Sequence, residues 1–297
     1  MAYPKLTCLA VAAAVAVATG ATAATFTLED RNSRVVFETQ TSADGFSRHG
    51  MVAWEVNGIN HMYEQNFWFR FAGDTRDTPL ASLPTTFAQS FDTNEFVGDD
   101  LLSLTYNNAG FFTANVRYSL SGSDGCCSDI AEQVNITNTS SSPFTMIFTE
   151  YTDFDLSGTI GDTFAAHPNP NLFTQIDRTT LVDCPPFTQH CWYRSDTTVV
   201  APAGTFLGWE ISQYPDLRNR LTDDTPTVLA NLAGTSGAFG AGDLVWAAQW
   251  KFTLLPGQSW QLSKDKLLTP TPIPLPAPAF LLLGGLAALG ALKRRAA

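Results

Sequence analysis

Apolar and polar residues alternate with a period of two along most of this chain. Alternating, β-branched or aromatic runs occupy residues 34–39, 51–56, 67–71, 101–106, 111–120, 130–137 and 144–154. Further runs follow at 179–182, 205–211, 244–254 and 259–262. A period of two sends successive side chains to opposite faces of an extended strand. Turn formers stand between the runs, among them Asn57-Gly58, Asn107-Asn108-Ala109-Gly110, Ser121-Gly122 and Pro256-Gly257. No window of about 15 residues between 24 and 268 carries a helical stripe. Many short strands without interleaved helices predict an all-β fold, an antiparallel β-sandwich. No internal repeat or linker divides residues 24–268, which are read as one domain.

Both ends depart from the pattern. In residues 1–23 the only charge is Lys5, an apolar run covers 6–18, and Ala21 and Ala23 are small residues at a cleavage position. Roughly 13 apolar residues are too few to span a bilayer, so a secretory signal helix is expected. Cys8 lies inside the apolar run rather than after it, which argues against lipidation. Residues 269–278, TPTPIPLPAP, form an extended spacer because proline fixes φ and donates no hydrogen bond. Residues 279–292 are uncharged, and Lys293, Arg294 and Arg295 close them as a membrane stop. That stretch as a helix is only ~21 Å long, short of a ~30 Å bilayer core unless the proline segment dips in. Basic residues stay cytoplasmic. A single C-terminal transmembrane helix in 279–297, with the body on the far side of the membrane, is the expectation.

The order of proline motif, short glycine-containing apolar helix and arginine cluster resembles the PEP-CTERM sorting tail of Gram-negative bacteria. Pro274-Leu275-Pro276 stands where Pro-Glu-Pro would be, which resembles the variant tail reading V-P-L-P-A. The resemblance implies transient anchoring in the inner membrane and recognition by an exosortase-type processing enzyme. It also implies delivery to the cell surface or the exopolysaccharide matrix. A plain tail anchor is the alternative. Residues 131–139 and 250–257 are similar to uncharacterised exported PEP-CTERM proteins, which implies a family and no activity.

Composition sharpens the charge. Charged residues are 15% of the chain, and 35 Thr, 19 Ser and 14 Asn supply polarity beside only 5 Lys. With 21 Phe, 7 Trp and 7 Tyr, intrinsic disorder is excluded. One basic residue lies in the signal and three in the tail, while every acidic residue lies between. The body therefore carries 13 basic residues against 28 acidic ones, a net of −15. Such a surface repels nucleic acid and anionic lipid. The segment 51–63, a strand, an Asn57-Gly58 turn and a continuation, resembles the opening strands of the galactose-mutarotase-type supersandwich.

Four cysteines remain after signal removal: Cys126, Cys127, Cys184 and Cys191. An even count in an exported chain predicts disulfides. Cys184 and Cys191 bracket a Pro-Pro loop and could close it, which leaves Cys126 and Cys127 as a strained vicinal pair. Crossed pairing between the two sets avoids that strain. Zinc beside His190 is disfavoured by the lack of a C-x-x-C spacing or a second nearby histidine.

Two glutamates sit on apolar faces. Glu132 shares a parity with Ile130, Val134 and Ile136, and Glu150 shares one with Phe144, Met146, Phe148 and Phe154. Folding 130–137 and 144–154 into a hairpin through residues 138–143 would oppose the two, about 4.5–5.5 Å apart at Cβ. A bound cation, a shared proton or a nearby arginine would then be needed, and such a pair is also the equipment of glycoside chemistry. A one-residue bulge would return either glutamate to solvent. Asp153 and Asp155 share the opposite face and could help hold Ca²⁺, or stand as solvated strand-end charges; no EF-hand spacing accompanies them. His49, His61, His167 and His190 are scattered, and no nucleophile elbow, Walker loop or H-E-x-x-H occurs. In 67–71 the phenylalanines share one face, and Trp68 with Arg70 shares the other, suited to burial or to stacking on sugar rings. Trp246 and Trp250 read as core.

These features lead first to an exported cell-surface or matrix protein with a structural or interaction role. The rival is a carbohydrate-binding or carbohydrate-modifying sandwich using the Glu132/Glu150 face. A concave groove lined by aromatics and carboxylates would favour the rival, and a flat Thr-rich exterior the first.

Overall fold

The computed structural model describes residues 24–41, 45, 47–166, 172–180, 182–183, 190–232 and 236–272. The signal, the sorting motif Pro274-Leu275-Pro276, the apolar tail, His167 and Cys184 lie outside the described residues. Among those described, no helix is long and apolar enough to cross a membrane.

Alternating strands build two ten-stranded antiparallel sheets. The first runs in the order β1 (Thr25–Asp30), β2 (Ser33–Glu38), β3 (Gly50–Val56), β5 (Met62–Phe71), β11 (Phe144–Phe154), β19 (Leu244–Leu254), β16 (Phe206–Gln213) and β17 (Asn231–Leu232). Two short strands, β4 (Ile59–Asn60) and β6 (Thr78–Pro79), pair with β3 and β5. The second sheet runs β18 (Gly237–Gly242), β12 (Asp162–Ala166), β13 (Leu172–Asp177), β15 (His190–Val200), β20 (Ser259–Pro272), β10 (Ser128–Asn138), β9 (Phe112–Ser121), β8 (Leu101–Asn108) and β7 (Thr85–Phe91). A short β14 (Val182–Asp183) pairs with β15, so the expected run at 179–182 is displaced to either side of Thr179 and Thr180.

Parity decides the core. Met146 and Phe148 of β11 and Trp246, Trp250 and Phe252 of β19 face Val116, Val134, Ile136 and Leu262 from the second sheet. Trp260 stacks on Phe252 with centroids 4.2 Å apart, and Trp246 stacks on Phe173 at 4.6 Å. The first sheet is covered on its outer face as well. Helix α1 (Asp216–Thr222) lays Leu217 and Leu221 over Trp68, Tyr151, Val245 and Ala247. That second layer explains why residues 244–250 are buried without interruption: both faces of β19 have something to pack against. Trp68 is therefore fully buried, and Arg70 donates to Asp77 at 2.7 Å and to the Thr227 carbonyl at 2.9 Å rather than facing solvent.

Two differences from the sequence pattern matter. Strands β10 and β11 do not form a hairpin: β10 belongs to the second sheet and β11 to the first. The chain between them crosses the sandwich edge, tied by Asn138, whose side chain donates to the carbonyls of Ser142 and Leu254. Strand β20 also continues past residue 268 into the proline-rich segment, pairing Pro270 with Tyr193 and Pro272 with Cys191. Its register with β10 stops at Leu268, so the proline end has one neighbour only. Proline is tolerated there because one side of the strand needs no donor.

Candidate functional site

Glu132 and Glu150 do meet, but across the sandwich and in its interior. Glu132 on β10 faces inward beside Lys264 of β20, and Glu150 on β11 comes from the opposite sheet. Lys264 lies 2.7 Å from Glu132 and also pairs with Glu150. Lys266 pairs with Glu132 and lies 3.0 Å from Glu150. All four side chains are sealed from solvent, and the two charges of each sign cancel. Burial works against the charge of each group. The two lysines overcome it at Glu150, whose carboxyl is held below its ordinary range. Glu132 and Glu150 overcome it at Lys266, whose ammonium is held above its own. At Lys264 burial wins, and the ammonium is pushed down to about 8. The compensation that paired glutamates demand comes from lysines, so this face is not open to a ligand. The signal was present in the sequence: in 262–268 the inward positions read Leu, Lys, Lys, Leu, an alternation continued by two lysines.

The carboxylates on the other parity lead elsewhere. In the order β5, β11, β19, β16, four neighbouring strands end in one row. Around that row stand Tyr63 of β5, Asp153 and Asp155 at the end of β11, Asp243 before β19 and Tyr214 after β16. The pairing of β5 with β11 skips Tyr63, passing from Asp153↔Glu64 to Phe154↔Met62. A bulge of this kind re-aims a side chain at a strand end. These five residues and Ile160 line a cavity of about 150 Å³. Tyr63 and Tyr214 meet edge to face at 5.8 Å. Both also line a second cavity of about 130 Å³, with Arg48, Glu64 and Arg218 on its walls. The two cavities share these tyrosines as a common wall, with an acidic side and a basic side.

The acidic end of this cleft holds Asp153, Asp155 and Asp243, each with a carboxyl oxygen within 4.8 Å of the other two. Asp153 is buried, not a solvated strand end, and its Oδ1 has no hydrogen-bond partner. Tyr151 donates to its Oδ2 at 3.2 Å. Burial, then the charges of Asp155 and Asp243, push Asp153 up to about 8. Burial and Asp243 raise Asp155 to about 6 against the opposing pull of Arg48. Burial raises Asp243 as well. Sequence reasoning reached Asp153 and Asp155 but missed Asp243, which precedes a strand 88 residues beyond Asp155 and carries no local motif.

The basic end is ordered from beneath α1. Arg218 lies 3.1 Å from Glu64 and also donates to the backbone carbonyls of Gly45 and Ser47, while its Nη1 is buried without a partner. Glu64 accepts from the backbone N–H of His49 at 3.0 Å. Burial holds His49 below its ordinary range although Glu64 is adjacent. The Arg48 guanidinium stacks 4.3 Å over the Tyr63 ring.

The other sequence candidates lie apart from the cleft. Cys126 is joined to Cys127, the vicinal arrangement rather than the crossed one, within a turn where Ser123 accepts from both backbone N–H groups. Cys191 is disulfide-bonded too. His61 is buried in packing: its Nδ1 accepts from the Ser157 N–H at 3.0 Å and its ring lies 4.2 Å from that of Tyr193.

No protein-family model matches the chain, and no curated protein sequence does. Among solved structures, a protein from Synechocystis sp. PCC 6803 aligns at TM-score 0.47 and 12% identity, covering 84% of this chain and 97% of its own. A galactose mutarotase-like protein from Lactobacillus casei aligns at TM-score 0.44 and 10% identity, covering 82% of this chain and 100% of its own. A bacterial glucoamylase complexed with acarbose aligns at TM-score 0.42 and 9% identity, covering 86% of this chain and 33% of its own.

Proposed function

We propose that this is an exported carbohydrate-binding β-sandwich that holds a saccharide in the Tyr63–Tyr214 cleft. The observation that supports it is the lining: two tyrosines and three carboxylates converge at the ends of four adjacent strands. A sugar presents an apolar C–H face that packs on an aromatic ring and hydroxyl donors that carboxylate oxygens accept. The Glu132/Glu150 face takes no part in this reading, because the lysines already occupy it. Glycan-array screening of the purified protein, followed by titration of any ligand found, tests the proposal. Tyr63→Ala and Tyr214→Ala are each expected to weaken binding at least tenfold, and unchanged affinity in both would place the ligand elsewhere.

A second reading has its own support. Asp153 and Asp155 line one cavity from positions two apart, the first buried and the second half-buried, an asymmetry suited to dividing acid and base roles between neighbours. Product detection during the same titrations distinguishes turnover from binding.

Delivery belongs to the same proposal: an exosortase-type enzyme acts at the tail, and the body reaches the surface or its polysaccharide matrix. Strand β20 takes in residues up to Pro272, so removal of 273–297 leaves the sequence of every described strand intact. Cell fractionation with and without that tail is the test, and an unchanged location would remove the sorting role.

A further inference from the structure

We infer that Asp153, Asp155 and Asp243 form a binding site for a hard divalent cation of the Ca²⁺ class. Three observations converge. The first is spacing: one carboxyl oxygen from each residue lies within 4.8 Å of the other two. Ligands held at about 2.3–2.6 Å from one Ca²⁺ are no more than ~5 Å apart, a limit that all three oxygens meet. The second is an unmet need. Asp153 is buried, lines the cavity and has an oxygen with no partner. A buried acceptor left unpaired is costly, and a cation in the cavity would give this oxygen a partner and displace the proton from the carboxyl. The third is the contrast with Glu132 and Glu150. That pair has two lysines at ion-pair distance, whereas among the described residues no basic side chain reaches salt-bridge distance of these three aspartates.

The donor set selects the kind of ion. All three ligands are carboxylate oxygens, which suit hard cations, and no sulfur or imidazole belongs to the group. The cavity is open, and the three side chains come from two separate chain segments, so the ring of ligands is irregular. Ca²⁺ tolerates six to eight ligands in flexible geometry, whereas Mg²⁺ demands a near-ideal octahedron. Three protein ligands leave the remaining positions to water, or to hydroxyls of a molecule in the cleft. Sites of this sort in extracellular modules bind in the ~10⁻⁴–10⁻³ M range. The inference stands without the carbohydrate reading, because the ion alone is the probe.

The test is Ca²⁺ added to the purified metal-free protein, read by thermal unfolding and by Tb³⁺ luminescence sensitised through Tyr63 and Tyr214. With a Kd of about 1 mM, Ca²⁺ at about 10 mM favours the folded state roughly elevenfold. A rise in melting temperature and Tb³⁺ emission displaced by Ca²⁺ are the expected results. Asp243→Asn and Asp155→Asn should abolish both responses. Asp243→Asn also removes a charge that repels Asp153 and Asp155, so without metal it should melt at or above the parent temperature. Asp224→Asn, an exposed aspartate outside the cleft, should leave both responses intact. No Ca²⁺-dependent shift, or a full response in Asp243→Asn, would overturn the inference.

Discussion

Replacing Lys266 by methionine probes the most demanding feature of the interior. The parent cluster holds two carboxylates and two ammonium groups, none reached by solvent. Methionine keeps most of the side-chain volume and removes one charge, which leaves a net −1 in a sealed site. Breaking a buried pair in this way costs about 3–5 kcal/mol. A second route reaches a similar figure. The site can restore neutrality by protonating one glutamate, which at pH 7 costs about 1.36 kcal/mol for each of the roughly 2.7 units above an ordinary ~4.3 pKa, near 4 kcal/mol. The second route also fixes the sign of the pH dependence. The folded variant binds a proton that its unfolded chain lacks, so its stability falls as pH rises, by ~1.4 kcal/mol per unit between about 4.3 and 7. The deficit against the parent should therefore shrink steadily toward pH 4.5. Adding Glu132→Gln to Lys266→Met restores a neutral Lys264–Glu150 pair and should recover a large part of the loss. Urea unfolding followed by tryptophan fluorescence measures all of this. A loss below about 1 kcal/mol at pH 7, or one that does not vary with pH, would refute the sealed, charge-balanced cluster.

His61 makes the second pH prediction. Burial, only partly opposed by Asp177, holds it down to about 3, so the unfolded chain takes up a proton that the folded one refuses. Its stabilising contribution is complete above an ordinary ~6.5 and is lost as pH falls from there toward 3, by up to ~1.4 kcal/mol per unit; His61→Gln, which keeps an acceptor for Ser157, should flatten that slope, and superimposable pH curves would contradict it. Leu217→Ala removes a fully buried side chain from the cover over Trp68 and Tyr151. It should cost about 2–5 kcal/mol and loosen the basic end of the cleft, and retention of parental stability would show that α1 is not packed as described. Non-reducing peptide mapping should find Cys126 linked to Cys127, and a cross-link from either of them to Cys191 would disprove the vicinal pairing.

Much of the fold was legible because side-chain parity is a local property. Within 130–137 and 144–154 the alternation alone puts Glu132 and Glu150 on apolar faces, and in 67–71 it separates Trp68 and Arg70 from the phenylalanines. Strand identity, the antiparallel sandwich and the place of Trp246 and Trp250 in the core follow from the same two-residue period. Parity says which face a residue occupies, however, and not what lies opposite that face. A hairpin partner beside Glu132 and a partner across the core satisfy the same pattern, and only tertiary packing chose the second. The lysines that neutralise the pair come from β20, well over a hundred residues downstream, and the third aspartate of the cleft precedes β19. Such meetings depend on strand order within the sheets, which is set by long-range pairing among many similar strands. The sequence by itself therefore determined the strands and their faces. The three-dimensional arrangement decided that one acidic pair is locked inside by lysines and that another acidic group is left open beside two tyrosines.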